Sequence, residues 1–299
     1  MSFDIENIKN EFAAHVQDLQ NQISEELKRI DTKINLNEDI WERKDFAGNP
    51  GGGGITRAFE GEIFENAGVN TSLVFGEVDP KFAANIGGDN NQMWATGISL
   101  IIHPTNPRVP TTHANFRMIQ AGSKVWFGGG ADLTPFYPHE DDFEYFHKVW
   151  KDACEPYRHW DEWKEKCDNY FVNKHRADEM RGIGGFFYDH FFSGDPQKDL
   201  AMFKEISSNF IKSYFPIVEK RMDEEFDDED VDFQLHRRGR YVEFNLLHDR
   251  GTHFGLKSNG RTDSILISLP KRVKFTYRYE PKKPEHKKMM EYYFPKDWA

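Results

Sequence analysis

Residues 97–118 read GISLIIHPTNPRVPTTHANFRM, two alternating segments joined by a loop that carries Pro104, Pro107 and Pro110. Side chains two apart in a strand project to the same side of a sheet. Ser99, Ile101 and His103 therefore share one face of the first segment, and Ile98, Leu100 and Ile102 take the other; His113, Asn115 and Arg117 fall in one phase of the second. Paired as an antiparallel hairpin across Pro104 to Thr112, the segments are expected to set His103 opposite His113, Ile101 opposite Asn115 and Ser99 opposite Arg117. Five polar side chains then converge on one patch. A merely solvated face is the plainer alternative, but it ordinarily carries Lys, Glu and Thr rather than this more chemical selection.

On either side of the hairpin the pattern alternates between helix and strand. Ile5, Ile8, Phe12, Val16, Leu19, Ile23, Leu27 and Ile30 step by three or four, which predicts one amphipathic helix within residues 1–35, packed on a sheet. Val125 to Phe127 reads as a short strand running into Gly128-Gly129-Gly130-Ala131-Asp132, a sharp turn that delivers a carboxylate. Helices are expected over 139–154, from 160 to near Lys174-His175-Arg176, and over 196–226, with a glycine turn and a strand closed by Asp189 between the last two. Asp227 to Asp232 reads as a solvated loop. Arg240–His248, Ser264–Leu269 and Val273–Tyr279 read as strands, the first delivering Asp249-Arg250-Gly251-Thr252 to a turn, and Glu285–Tyr293 as a final helix. Strands in direct succession with long helices between them indicate an α+β fold, an antiparallel sheet with helices on its faces, and a single domain over 1–299.

The net charge of −11 argues against nucleic acid as the main partner, so anionic ligands would have to be met by local arginines. The 26 phenylalanines suit a large, flat, partly apolar ligand as well as core packing. Cys154 and Cys167 form no C-x-x-C pair; an iron-sulfur cluster is excluded on ligand count, and a reducing compartment is favoured. The N-terminus lacks signal- or transit-peptide character and no stretch reaches the ~18 apolar residues of a membrane span, so a soluble cytoplasmic protein is expected. Asn49-Pro50-Gly51-Gly52-Gly53-Gly54 has no Gly-Lys-Ser/Thr ending, and no dinucleotide fingerprint occurs.

Arg57, Arg117, Arg237, Arg238, Arg240, Arg250 and Arg261 lie beside glycine turns and expected strand ends, where guanidinium forks match carboxylates; Arg117 and Arg250 stand out because each shares a motif with other polar groups. His103, His113, His147 and His175 invite a metal reading, but their spacing is not diagnostic, and His147 reads equally as a core histidine. His113 is placed for proton transfer beside Asn115 and Arg117. Asp249 either caps a turn or binds N–H groups of a ligand while Arg250 keeps it ionised.

Together IIHPTNPRVPTTHANFR, WFGGGADLTP, KHRADEMRGIGGFFYD, GRYVEFNLLHDRGT and GRTDSILISLP, in order from about Trp41 to Trp298, resemble the oxygen-dependent coproporphyrinogen III oxidases, the last motif being closer to bacterial-type members. The resemblance implies a large, flat antiparallel sheet flanked by helices. It implies oxidative decarboxylation of two propionates of coproporphyrinogen III to vinyl groups in heme biosynthesis, giving protoporphyrinogen IX, CO2 and hydrogen peroxide. O2 is then the co-substrate, no organic cofactor is needed, and the four propionates explain the arginines. Carried over by motif, Ser99, Asn115, Phe116, Arg117, Asn259, Gly260 and Arg261 resemble substrate contacts, His113 the proton donor, and Asp249 with Arg250 the catalytic turn. His103, His113, His147 and His175 match histidines assigned to a divalent metal in bacterial members, and a region matching Arg240 to Phe275 implies a homodimer. Three positions depart from the pattern: His190 replaces a second acidic residue, His248 an aromatic, and Asn259 a glycine. A non-catalytic tetrapyrrole carrier and a metal-dependent oxygenase are the rival readings.

Overall fold

The computed structural model describes residues 4–257 and 260–299. The chain begins with α1 (Ile5–Ile30), capped by the Asp4 side chain, which accepts from Asn7 N. A strand meander follows: β1 (Asn35–Lys44), β2 (Pro50–Glu60), β3 (Phe64–Glu77), the short helix α2 (Pro80–Asn85), β4 (Gln92–Pro104), β5 (Thr111–Ala121) and β6 (Lys124–Thr134). Two helices, α3 (Glu140–Cys154) and α4 (Trp160–Tyr170), lead to a two-stranded ribbon of β7 (Val172–Asn173) and β8 (Glu179–Met180), and then to β9 (Gly185–Phe191). Helices complete the fold: α5 (Pro196–Ser207), α6 (Phe210–Arg221), α7 (Asp228–Leu247), α8 (Arg250–Lys257), α9 (Thr262–Leu266) and α10 (Pro284–Tyr292).

Seven strands form one antiparallel sheet in the order β1-β2-β3-β4-β5-β6-β9. The expected α+β architecture is borne out, and alternation decides what each face does. Ile98, Leu100, Ile102, Ala114, Phe116, Met118, Ala131 and Leu133 point to one side and are buried with the α1 stripe and the aromatic residues of α3 and α5. Gln20, buried in that apolar layer, is satisfied by the carbonyls of Ile55 and Val69 and by the Thr71 hydroxyl, which fixes α1 on the sheet. The other face carries the hairpin's polar residues and is covered in part by α7, α8 and α9.

The hairpin register differs from expectation by two residues. Ile101 pairs with His113, Ser99 with Asn115 and Gly97 with Arg117, so His103 is not opposite His113. The turn is centred one residue earlier because Asn106 organises it, accepting from Arg108 N on its side chain and from Val109 N on its carbonyl. A slip of two preserves the phase, and the polar residues keep their common face.

The last third is helical where strands were expected. Arg240–Leu247 belongs to α7 with His248 as its C-cap, Ser264–Leu269 forms α9 and the turn after it, and Val273–Tyr279 is irregular. The acidic run is the beginning of α7 rather than a loop: Asp227 and Asp230 form a reciprocal capping box, and carboxylates favour a helix N-terminus. The expected helix over 196–226 divides at Ser208-Asn209 into α5 and α6. Strand β6 runs through the three glycines to Thr134, so Asp132 lies within a strand and not on a turn. Among the described residues no helix is long and apolar enough to cross a membrane.

Candidate functional site

Direct partners in an antiparallel sheet share a face, so the registers trace a row across all seven strands: Asp39, Thr56, Asn70, Ser99, Asn115, Gly130 and Phe187. One step along, the row runs Trp41, Gly54, Ser72, Gly97, Arg117 and Gly128, the Trp41 ring lying over Gly54 and small residues flanking a single cation. One step the other way, Gly68, Ile101, His113, Asp132 and Gly185 align. Ser99 is exposed, and glycine and serine make this part of the face a low floor.

Two segments wall the floor. Over β1 to β4, Arg261 pairs with Asp39, Ser264 meets Thr56 Oγ1 at 2.7 Å and accepts from Asn70 Nδ2 at 2.8 Å, and Ile267 rests on Gly68. At the β9 edge, Tyr170 stacks on Phe187 with ring centroids 4.6 Å apart, and the start of α8 docks on Tyr170. Ser99, His113, Asn115 and Arg117 occupy the strands between.

His113 Nδ1–H donates to Asp132 Oδ1 at 2.9 Å, with the imidazole 23% exposed. Asp132 is buried, and Arg181, equally buried, grips it through Nη2 at 2.7 Å and Nε at 3.0 Å while donating to Asn245 Oδ1 at 2.7 Å. Burial alone would raise the Asp132 pKa; the Arg181 guanidinium and the His113 hydrogen bond together outweigh it and hold the group below the ordinary carboxylate range. A carboxylate on Nδ1 fixes the tautomer and leaves Nε2 as the nitrogen available for proton exchange. Arg181 is enclosed by the rings of Phe171, Tyr241 and Phe244.

Arg117 donates to Asn115 Oδ1 at 2.7 Å and to Asp189 Oδ1 at 2.8 Å, and Arg250 stands 3.9 Å from Asp189 Oδ2. Asp249 accepts from the Tyr170 hydroxyl at 2.7 Å and from Thr252 N and Oγ1 at 2.7 and 2.8 Å, which makes it the cap of α8. Burial pushes its pKa up, but the Tyr170 bond, Arg181 and Thr252 bring it below the ordinary value, so it is ionised at neutral pH. Arg250 lies over the Tyr170 ring.

The structure thus brings together Ser99, His113, Asn115, Arg117, Asp249 and Arg250, with Arg261 on the far wall and Gly260 half-buried before it. Asn259 lies outside the described residues. Phe116 is a correction: it faces the opposite side, fully buried between Trp150 and Phe186, because neighbours in a strand take opposite faces. Arg57 likewise faces α1, donating to Asn21 and Ser24, and Arg237, Arg238 and Arg240 pair with Glu179, Glu65 and Glu243 along α7.

The four histidines do not fit one metal centre. His103 is buried with Nδ1 on Thr111 Oγ1 and Nε2 on the Ser268 carbonyl; burial, reinforced by Arg238, lowers its pKa to about 3. His147 is buried on α3 with Nδ1–H donated to the Phe143 carbonyl, and burial lowers its pKa also to about 3. His175 sits apart, between His248 Nε2 at 2.8 Å and Glu243 at 3.1 Å. Among the described residues the one trio of His, Cys, Asp or Glu close enough to share an ion is His139, Asp141 and Asp142, whose carboxylates already pair with Lys220 and Arg221.

Sequence reasoning left Asp132, Arg181, Asp189 and Tyr170 out of the site. Phase was the available signal for two of them, since Asp132 follows Gly128 and Gly130 on the polar face and Asp189 follows Gly185 and Phe187. The family model described as Coproporphyrinogen III oxidase matches residues 11–298.

Proposed function

Because the chain belongs to the coproporphyrinogen III oxidase family, we propose that it carries out the oxygen-dependent reaction of heme biosynthesis, converting two propionates of coproporphyrinogen III to vinyl groups. Each propionate and one O2 give a vinyl group, CO2 and H2O2. The C–COO bond breaks, a hydrogen leaves the neighbouring carbon with its electron pair, and O2 accepts both electrons and two protons. The electron-rich tetrapyrrole itself supplies the reducing power, so the protein's work is orientation, desolvation and proton delivery.

The observation that carries this reading is the low floor of Ser72, Gly97 and Ser99, bordered by Arg117, whose guanidinium lies over Gly128, with Arg250 beyond it and Arg261 on the far wall. A disc-shaped ring bearing carboxylates on its rim suits a flat surface with cations at its margins. His113, oriented by Asp132, donates a proton toward the reduced oxygen; Asp249, ionised and beside Arg250, accepts pyrrole N–H. Ser99 and Asn115 contact the ring or its carboxylates. The site needs no organic cofactor in this scheme, and no step is assigned to a metal because the histidines do not gather.

A homodimer through the region from Arg240 to Phe275 is supported by the exposed Leu246, Leu247, Leu256, Val273 and Phe275. The buried, unpaired Cys154 and Cys167 suit a reducing compartment, consistent with the cytoplasm. Chelator-treated protein given coproporphyrinogen III in air should form protoporphyrinogen IX, and under argon it should not. Turnover without oxygen, or binding without turnover, overturns the reading; activity only with added metal favours the metal-dependent oxygenase.

A further inference from the structure

Two arginines from different elements meet at Asp189. Arg117 reaches it from β5 at 2.8 Å, whereas Arg250 reaches it from α8 at 3.9 Å, beyond hydrogen-bond distance. The same Asp189 oxygen that binds Arg117 also accepts from His190 N at 3.1 Å, so one carboxylate oxygen is firmly held and the other faces Arg250 loosely. Arg250 is 64% exposed and rests over Tyr170 and Phe187, which support its guanidinium independently of the carboxylate. Asp189 therefore presents to Arg250 the same group that a propionate would present, in the same place.

We propose that Asp189 is a place-holding carboxylate, which occupies the pair of Arg117 and Arg250 in the free protein and yields Arg250 to a propionate of the substrate. The proposal rests on the tetrapyrrole reading of the site and names the residue that makes this corner selective for an anion. A neutral ring substituent cannot take the place of Asp189 at the Arg250 guanidinium, whereas a carboxylate can. Arg117, tied also to Asn115, stays with Asp189 and keeps the corner in shape while Arg250 changes partners.

Asp189→Asn keeps the side-chain volume and an acceptor oxygen for Arg117 while removing the competing charge. Coproporphyrin III is already oxidised and is not turned over, and its binding to the full chain can be followed by fluorescence quenching. Asp189→Asn is expected to bind it about five-fold more tightly than the wild type, and the gain should vanish in an Arg250→Gln background, since only Arg250 is released. Weaker binding by Asp189→Asn, matching Arg117→Gln, would mean that Asp189 only orients Arg117 and would overturn the proposal. Sodium propionate is a second probe, followed at the Arg250 Nε–H resonance: it should saturate at lower concentration in Asp189→Asn, and equal affinity in both proteins would also overturn it. Should propionate behave as expected while the wild type fails to bind coproporphyrin III, the tetrapyrrole reading fails and the place-holder stands.

Discussion

The guanidinium of Arg117 lies across Gly128: a β-carbon built on that glycine would stand 2.9 Å from Arg117 Cζ, Nε and Nη2. The arginine spans from β5 over β6 to Asp189 on β9 because β6 has no side chain beneath it. Gly97, on its other flank, leaves only 3.0 Å between a β-carbon and Arg117 Cβ. Two glycines in neighbouring strands thus give one arginine its position.

Gly128→Ala should consequently act through Arg117. The guanidinium cannot give way without leaving Asn115 or Asp189, so KM should rise by about ten-fold with kcat nearly unchanged, and the overpacking should cost about 1–3 kcal/mol of stability. Steady-state kinetics and urea unfolding check both parts. An unchanged KM in Gly128→Ala would show that Arg117 does not hold substrate in this pose.

The buried Asp132 is shared between His113 and Arg181, and its removal should be felt twice. Asp132→Asn leaves Arg181 charged, 2% exposed and without its counter-ion, which should destabilise the fold by about 3–5 kcal/mol. His113→Gln touches only the proton donor and should lower kcat by about 10²–10⁴-fold with little change in stability. The two variants separate folding from chemistry, and a His113→Gln enzyme within ten-fold of wild-type kcat would remove His113 from proton delivery.

His103 and His147 give a signed pH dependence. Both have folded pKa values of about 3, set first by burial, against an unfolded value near 6.5. The unfolded chain binds more protons between these values, so the stability held by keeping each imidazole neutral is fully present above pH 6.5 and is lost as pH falls toward 3. The slope should approach about 1.4 kcal/mol per pH unit for each histidine across that window. Urea midpoints at pH 7, 6 and 5 measure it, and His103→Gln should reduce the slope by up to about 1.4 kcal/mol per pH unit, leaving the share of His147 and of the other histidines that burial depresses, such as His15 and His286. A midpoint that does not move between pH 7 and 5 would contradict the burial of both.

The polar face was legible from residues 97–118 because period two fixes phase whatever the register. Register was not, since it depended on how Asn106 folds the turn. In α7, Tyr241-Val242-Glu243-Phe244 carries strand propensity, and the helical repeat of buried Phe233, Arg237, Tyr241 and Asn245 was hidden because two of its members are polar. Their partners lie far away in sequence: Arg237 answers Glu179, and Asn245 answers Arg181. Asp132, Arg181 and Asp189 escaped for the same reason. Each owes its role to a contact 49 or 72 residues distant; strand phase marks the face of Asp132 and Asp189 but not their partners, and no local pattern marks Arg181.

Asp249 is the residue whose two readings, cap and catalyst, both survive in the geometry, and one substitution separates them. As the cap of α8 it accepts from Thr252 N and Oγ1, and replacement by alanine should cost about 1 kcal/mol whatever the chemistry. Asparagine caps helices nearly as well as aspartate, so Asp249→Asn can keep the Thr252 bonds on its one oxygen while losing the Tyr170 acceptor and the negative charge that accepts pyrrole N–H, at a cost of about 1–3 kcal/mol that leaves the protein folded. If that charge serves turnover, kcat of Asp249→Asn should fall by about 10²-fold or more with KM within a few-fold, since the carboxylate-binding arginines are untouched. Arg250→Gln and Arg261→Gln should show the converse, a raised KM with kcat largely kept. A stable Asp249→Asn enzyme with near-wild-type kcat would leave Asp249 a cap alone.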